Sequence, residues 1–237
     1  MIAVLARVIG TILVFFNWYG DDQDLQLPTI ARYGQSNVTG LVLARGGSKG
    51  IVNKNMVILN GFPLIHWSLD AMIKSGVFDD IWVSTNDPSI KEYALRLGVQ
   101  VHDRAPHTAT DHATSMVAVQ EFLQGHPGTE AIALVQLTRM HQLRWSVALN
   151  EEFAAKPLNF DPKNRPRRQD WQGEFVENGM FYFSHRKLVE KGAFQNAKSC
   201  VVEIPKNQSL EIDSMEDLKV AEAMMKEFIA KHVKTEL

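Results

Sequence analysis

Short apolar runs alternate with stretches of helical spacing along most of the chain, and this alternation limits the fold more than any other feature of the sequence. The runs predicted as strands are Gly40–Ala44, Asp80–Ser84, Val99–Val101, Ala131–Val135, Phe181–Phe183 and Val201–Ile204. The predicted helices are Pro63–Ser75, Pro88–Leu97, Thr114–Leu123 and Ser214–His232. Because strands and helices alternate, we predict an α/β fold in which helices cover both faces of a mostly parallel sheet.

The composition excludes several classes of protein. With 25 Lys and Arg against 27 Asp and Glu, the net charge of −2 argues against a nucleic-acid-binding protein. Hydrophobic residues make up 45% of the chain, which is typical of a globular protein and not of a disordered chain. The single cysteine, Cys200, excludes an intramolecular disulfide and a site built from several cysteines. None of the eight histidines has a partner at the spacing of a metal site, so we interpret them as surface or loop residues.

The two ends of the chain point to the secretory pathway. Residues 1–16 are apolar except for Arg7 and Thr11, and aspartates follow, which is the pattern of a signal sequence or an uncleaved membrane anchor. A buried first helix or strand of the domain is the alternative. The chain ends in Lys-Thr-Glu-Leu, one residue different from an endoplasmic-reticulum retrieval signal. We therefore predict a signal or anchor at residues 1–24, a linker at 25–38, one domain at 39–237, and a location in the Golgi or the lumen of the endoplasmic reticulum.

A glycine-rich turn, residues 45–50, directly follows the first predicted strand. Its sequence is Arg45-Gly46-Gly47-Ser48-Lys49-Gly50, which has neither the P-loop spacing nor that of the dinucleotide-binding motif. Glycines allow positive φ angles and close backbone approach, and successive backbone N–H groups in such a turn bind anions. Ligands of parallel sheets bind beyond the carboxyl ends of the strands. We therefore predict that the turn binds a triphosphate, with a basic surface loop as the alternative.

The segment from Leu41 to Asn55 resembles the nucleotide-binding motif of N-acylneuraminate cytidylyltransferases, the CMP-sialic acid synthetases. A second group of segments, Arg165–Trp171, Glu177–Gly179 and Phe181–Phe183, resembles the second motif of the animal enzymes. The resemblance implies a Rossmann-like three-layer nucleotidyltransferase fold and a homodimer. It also implies a reaction in which CMP passes from CTP to a sialic acid and pyrophosphate is released.

The resemblance assigns roles to individual residues. Arg167 and Lys49 are the expected catalytic residues. The residues expected to bind the nucleotide are Arg45, Gly46, Gly47, Ser48, Lys49, Lys54, Asn55, Arg104 and Ser115. Those expected to bind the sugar are Gln136, Arg165, Arg168, Glu177, Asn178 and Phe181.

Two carboxylates near the C-terminus form a candidate metal site. Glu211 and Asp213 alternate at a predicted strand end, so their side chains should point the same way and could hold Mg²⁺ or another divalent cation together with phosphate oxygens. The position matches the metal site of the family, although aspartate is usual where Glu211 stands. The alternative is that Asp213 caps the final helix together with Ser214.

Several positions depart from the family pattern. Val52-Asn53 replaces a proline-containing pair, Asn164 replaces a lysine and Ala113 replaces a serine. After Thr138 the chain passes directly to Arg139–Trp145, so a helix–strand unit of roughly two dozen residues is predicted to be missing. A second hypothesis is therefore a catalytically impaired short isoform that binds nucleotide or pairs with a full-length copy. A third is a cytidylyltransferase for another keto-sugar acid.

Overall fold

The structure is a computed structural model that describes residues 38–48, 50–135, 147–151, 155–158, 161, 163, 181–197 and 210–233. Four predictions about the organisation of the chain lie outside these residues: the signal or anchor, the linker except for its last residue, the strand Val201–Ile204, and the missing unit after Thr138. Within the described part of the chain, no helix is both long enough and apolar enough to span a bilayer.

A five-stranded sheet forms the centre of the described fold. Its strands, in spatial order, are β5 (Gln100–Asp103), β4 (Asp80–Thr85), β1 (Val38–Leu43), β6 (Ala131–Val135) and β9 (Phe181–His185). All neighbouring pairs are parallel except β6 and β9, which are antiparallel. The mostly parallel sheet is therefore confirmed. Because the chain adds β4 and β5 on one side of β1 and β6 on the other, the carboxyl end of β1 lies at the point where the strand order reverses.

Two small antiparallel hairpins lie outside this sheet. One pairs β2 (Ile58–Leu59) with β3 (Phe62–Pro63), and the other pairs β7 (Val147–Leu149) with β8 (Ala155–Pro157). Two short 3₁₀ helices, Lys54–Met56 and Pro106–Thr108, follow the carboxyl ends of β1 and β5.

The predicted helices are present, with ends that shift by one or two residues. They are α1 (Leu64–Ser75), α2 (Pro88–Arg96), α3 (Ser115–Gly125) and α5 (Met215–Val233), and a short helix, α4 (Arg186–Val189), follows β9. Thr114 lies just before α3, where its hydroxyl oxygen accepts a hydrogen bond from the backbone N–H of Val117. Likewise β1 begins at Val38, one residue before the predicted domain boundary, and β5 begins at Gln100 instead of Val99.

The core consists of apolar clusters on both faces of the sheet. On one face Val42 and Val83 pack against residues of α1 and α2, and on the other face Leu41 and Leu134 pack against α3 and α4. Neighbouring residues of β1 thus serve opposite layers, as the alternation of side chains along a strand requires. A third cluster joins α5 and the segment before it to Ile51 and the β2–β3 hairpin, which brings the C-terminal part of the chain next to the glycine-rich turn.

Arg186 joins α4 to the end of α3. Its guanidinium donates hydrogen bonds to the backbone carbonyls of Leu123 at 2.8 Å, His126 at 2.9 Å and Thr129 at 3.4 Å. Two of these carbonyls also accept backbone hydrogen bonds, because the N–H of His126 donates to Leu123 at 3.3 Å and the N–H of Thr129 donates to His126 at 3.2 Å. Arg186 thus adds a charged donor to the turn that follows α3.

We expect Arg186→Ala to lower the free energy of unfolding by about 2 kcal/mol, because these half-buried carbonyls lose a charged donor. Lys187→Ala is the matched control, since Lys187 is an exposed residue of the same helix. Its expected change is within about 0.5 kcal/mol. Urea unfolding followed by circular dichroism measures both variants, and equal losses in the two would contradict this role of Arg186.

Candidate active site

The glycine-rich turn is attached to its neighbours on two sides. The backbone N–H of Gly46 donates to the side-chain oxygen of Asn86, which follows β4, at 3.0 Å. From the other side, the side-chain amide of Asn55 donates to the carbonyl of Arg45 at 3.2 Å. Gly47 has a φ of 73°, a left-handed conformation that favours glycine. The described residues of the turn are therefore held in place at the carboxyl end of β1, and Asn55 helps to hold them.

The segment before α5 lies directly against this turn. A Cβ atom at Gly50 would lie 2.4 Å from the backbone carbonyl oxygen of Asp213, which is closer than real Cβ contacts come. The ammonium of Lys54 lies 2.7 Å from one carboxylate oxygen of Asp213, although the two residues are 159 positions apart in the sequence. The segment predicted to bind the nucleotide and the segment predicted to bind the metal thus lie side by side.

Asp213 remains charged because of its neighbours. Burial raises the pKa of this carboxyl, but hydrogen bonds with the side chains of Lys54 and Glu211 outweigh burial and lower the pKa below its ordinary value. Glu211 is thus one of the groups that lower this pKa, and the role of the two carboxyl groups as metal ligands stays a prediction.

The predicted strand end at residues 211–213 is wrong, because these residues form no strand. The physical reason is that Asp217 takes up the backbone donors. Its carboxylate accepts hydrogen bonds from the N–H groups of Asp213 and Ser214 at 3.1 and 2.8 Å. In return, the hydroxyl oxygen of Ser214 accepts from the N–H of Asp217 at 3.1 Å, which makes a capping box for α5. Asp213 therefore pairs with Lys54 through its side chain, while Ser214 and Asp217 cap the helix.

The carboxylate pair fits one kind of metal site. Magnesium in nucleotide sites commonly takes one or two carboxylates and completes its coordination with phosphate oxygens and water. Among the described residues, no group of three or more His, Cys, Asp or Glu side chains is placed to hold a metal. Glu211 and Asp213 thus fit a cation that arrives with a polyphosphate, and they do not fit a closed protein site.

Two arginines bring positive charge to the same edge of the sheet. Arg45, in the turn, forms an ion pair with Asp111 at 2.8 Å. Arg104, at the end of β5, is only 6% exposed and donates hydrogen bonds to the hydroxyl and the carbonyl of Thr108. Burial lowers the pKa of Arg104, the carboxylate of Glu121 raises it, and the positive charge of Arg45 lowers it. The positive charges of the two guanidiniums therefore act on each other at this edge of the sheet.

A cleft of about 420 Å³ lies beside the first turn of α3. Ser115 lines it together with Tyr182, whose ring stacks on Phe194 at a centroid distance of 5.3 Å. Phe181 does not belong to the lining that the structure describes, because neighbouring residues of β9 point to opposite faces of the sheet. Phe181 pairs instead with Val135 at the carboxyl end of β6 and contacts the ring of Phe183.

Three residues of this region were not found from the sequence. Asn86 directly follows a predicted strand, so the rule that ligands bind at the carboxyl ends could have identified it. Tyr182 lies next to the predicted Phe181, and only the register of β9 decides which ring faces the cleft. Asp111 lies in a loop without any pattern that points to a role.

Seven predicted residues lie outside the described part of the chain, and their roles stay predictions. They are Lys49, Gln136, Arg165, Arg167, Arg168, Glu177 and Asn178.

Comparison with known proteins shows which family the chain resembles. The family model described as Cytidylyltransferase matches residues 39–229. The chain is 35% identical to N-acylneuraminate cytidylyltransferase A of Danio rerio and 37% identical to N-acylneuraminate cytidylyltransferase of Oncorhynchus mykiss. Each match covers 88% of this chain and 55% of the relative, so the chain spans about half the length of these relatives.

A solved structure shows the same fold. It is 4-diphosphocytidyl-2C-methyl-D-erythritol synthase from Anaerococcus prevotii, with a TM-score of 0.51 and 11% sequence identity. The match covers 81% of this chain and 99% of that protein. The predicted three-layer nucleotidyltransferase fold and the predicted resemblance to N-acylneuraminate cytidylyltransferases are confirmed, and the chain belongs to the cytidylyltransferase family.

Proposed function

We propose that the protein transfers CMP from CTP to a sialic acid and releases pyrophosphate. One observation carries the proposal: the glycine-rich turn, the Arg45 guanidinium and the ion pair between Lys54 and Asp213 lie together at the carboxyl end of β1. Transfer of a nucleotidyl group depends on positioning and on stabilisation of phosphate charge, and these groups supply both. The names of the relatives from Danio rerio and Oncorhynchus mykiss supply the acceptor, N-acylneuraminate.

In this reaction the anomeric hydroxyl of the sugar attacks the α-phosphorus of CTP. A new oxygen–phosphorus bond forms, the bond from the α-phosphorus to the bridging oxygen breaks, and pyrophosphate leaves with the negative charge. The hydroxyl proton passes to solvent. The turn holds the triphosphate through its backbone, while Arg45 and Lys54 stabilise the charge that develops on the leaving group. Arg167 would add a further positive charge from the second motif.

Glu211 and Asp213 would hold the divalent cation, for which we propose Mg²⁺. When bound, the cation neutralises part of the triphosphate charge. The cleft beside Ser115 is the place that we propose for the acceptor. Its aromatic rings, Tyr182 and Phe194, offer an apolar wall, while Ser115 and Gln195 offer polar groups, a combination that suits a sugar with an acyl group.

We also propose that the protein is a homodimer of the Golgi or the endoplasmic reticulum. The family resemblance supports the dimer, and the two ends of the sequence support the location. Sedimentation of the purified protein tests the first, and microscopy of the tagged protein with Golgi and reticulum markers tests the second. A monomer, or a cytosolic distribution, would contradict the respective proposal.

The reaction is tested by pyrophosphate release from the purified protein with CTP, Mg²⁺ and N-acetylneuraminate. We expect pyrophosphate and CMP-N-acetylneuraminate in equal amounts, and little product when UTP replaces CTP. Binding of CTP by a folded protein without turnover would favour the impaired isoform. Turnover with a different keto-sugar acid alone would favour the third hypothesis.

Arg167→Ala tests the role of the second motif. We expect pyrophosphate release to fall about a hundredfold, since removing one charge-stabilising donor typically costs that much in rate. Binding of CTP, measured by calorimetry, should change less than about twofold, because the arginine acts on charge that develops during transfer. Lys163→Ala is the control, since Lys163 is exposed and lies just before this motif. Unchanged turnover in Arg167→Ala would contradict the catalytic role that we propose for Arg167.

A further inference from the structure

Asp111 connects two segments of the site, and neither motif assigns it a role. Its carboxylate lies 2.8 Å from one terminal nitrogen of Arg45, and each side chain is 31% exposed. The other terminal nitrogen of Arg45 donates to the carbonyl of Gly47 at 3.3 Å. The guanidinium is therefore held at two points, one in its own turn and one in the loop between β5 and α3.

The loop that carries Asp111 is itself well fixed. At its start, the buried Arg104 donates to the carbonyl and hydroxyl of Thr108, and the Thr108 hydroxyl donates to the carbonyl of Ala105 at 2.9 Å. At its end, Thr114 caps α3. A carboxylate between two such anchors has a defined position, which is what a group that orients another side chain requires.

We propose that Asp111 is a positioning residue that orients the Arg45 guanidinium for the phosphates of the nucleotide. This inference rests on the proposed function. Arginine has a long side chain with much rotamer freedom, and a guanidinium that is already oriented loses less freedom when it binds phosphate. Without Asp111 the guanidinium would keep its hydrogen bond to the carbonyl of Gly47 but lose its ion pair, so it would be freer to turn towards solvent.

Asp111 also has an effect that opposes nucleotide binding. The negative charge of Asp111 repels a triphosphate, and its removal would favour binding. Water screens this repulsion, because the pair is about one-third exposed. Asp111 contacts Arg45 directly. We therefore expect its effect on the orientation of Arg45 to outweigh the screened repulsion between Asp111 and the triphosphate.

The experiment compares CTP dissociation constants of the full-length wild type, Asp111→Ala and Asp111→Asn by calorimetry. We expect about tenfold weaker binding for Asp111→Ala, a size that is ordinary for coupled pairs. Asp111→Asn should lose less, because its amide oxygen still accepts a hydrogen bond from Arg45. Asp103→Ala is the control. It removes another aspartate near the end of β5, one that pairs with Lys91 at 2.6 Å, and it should change the constant less than about twofold.

A double-mutant cycle separates positioning from a structural role. In an Arg45→Met background, whose weaker binding an NMR titration can follow, Asp111→Ala should change the dissociation constant less than about twofold. An equal loss in both backgrounds would overturn the proposal, as would tighter binding in both Asp111 variants. If wild type and all Asp111 variants bind CTP equally, this inference alone fails. If the folded wild type binds no CTP, the proposed function fails and the inference with it.

Discussion

The Gly50→Ala protein is expected to bind CTP about a hundredfold more weakly than the wild type, a loss of about 2.7 kcal/mol. The new methyl group would lie 2.4 Å from the backbone carbonyl oxygen of Asp213. No flexible side chain can give way, because the atom that the new methyl group meets belongs to the backbone of Asp213. The turn and the segment before α5 must therefore move apart, which separates Lys54 from Asp213. The expected loss lies within the range for an overpacked site.

Gly61→Ala is the matched control for this substitution. Gly61 has a φ of 87°, and no described atom lies within 4 Å of the position of its Cβ. We expect a loss of stability of about 1 kcal/mol from the strained backbone, with unchanged CTP binding. Calorimetry gives the binding and urea unfolding gives the stability of both variants. Wild-type affinity in Gly50→Ala would show that the close approach of the two segments does not matter for the nucleotide.

The architecture could be predicted from the sequence because its signals are local. The apolar runs at Asp80–Thr85 and Ala131–Val135 and the stop at Gly76 identify their elements without knowledge of the rest of the chain. The prediction of a strand end at residues 211–213 was wrong, because the contact that decides the conformation there is not part of the local sequence pattern. Whether that segment joins a sheet depends on Asp217, which takes up its backbone donors.

A second large effect is expected at the ion pair between Lys54 and Asp213. Asp213→Asn should lower pyrophosphate release about a thousandfold, because it removes one of two carboxylates that would hold the cation. Lys54→Met should weaken CTP binding instead, since a phosphate loses its ammonium partner. Steady-state kinetics and calorimetry separate the two outcomes. Equal effects of both variants on binding and on turnover would contradict these separate roles.

Exchanging the two charges provides a control. Lys54→Asp combined with Asp213→Lys keeps an ion pair, so the double variant should regain stability that either single variant loses. It should regain neither CTP binding nor turnover, because the ammonium and the carboxylate then stand in the wrong places. Recovery of activity in the double variant would mean that the pair has only a structural role.

Because Lys54 and Asp213 form an ion pair, we expect the stability of the protein to depend on pH. The pKa of Asp213 is lowered in the folded protein, so its ionised form stabilises the fold above the ordinary pKa of aspartate, about 3.9. This stabilisation is lost as the pH falls through the lowered value. The difference in thermal midpoint between wild type and Asp213→Asn should therefore shrink in acid. A constant difference down to strongly acidic pH would contradict the lowered pKa.

The candidate site was only partly predictable. Arg45 and Lys54 could be predicted because they lie in or beside a turn that follows a strand, and Asp213 because of its spacing from Glu211 and the family resemblance. That Lys54 and Asp213 touch could not be read from the sequence, since the chain between them sets their distance. The role of Asp111 could not be predicted either, because an isolated aspartate in a loop resembles any solvent-exposed residue until the loop is folded.

We propose that the triphosphate of CTP binds at the turn after β1. Nuclear magnetic resonance of protein labelled with ¹⁵N only at glycine tests it directly, because the backbone amides of Gly46, Gly47 and Gly50 are themselves the reporters. On titration with CTP and Mg²⁺, we predict that these three signals shift, while those of Gly76 and Gly98, at the ends of α1 and α2, stay in place. Unchanged turn signals at a CTP concentration that saturates binding, or shifts confined to other glycines, would contradict the account.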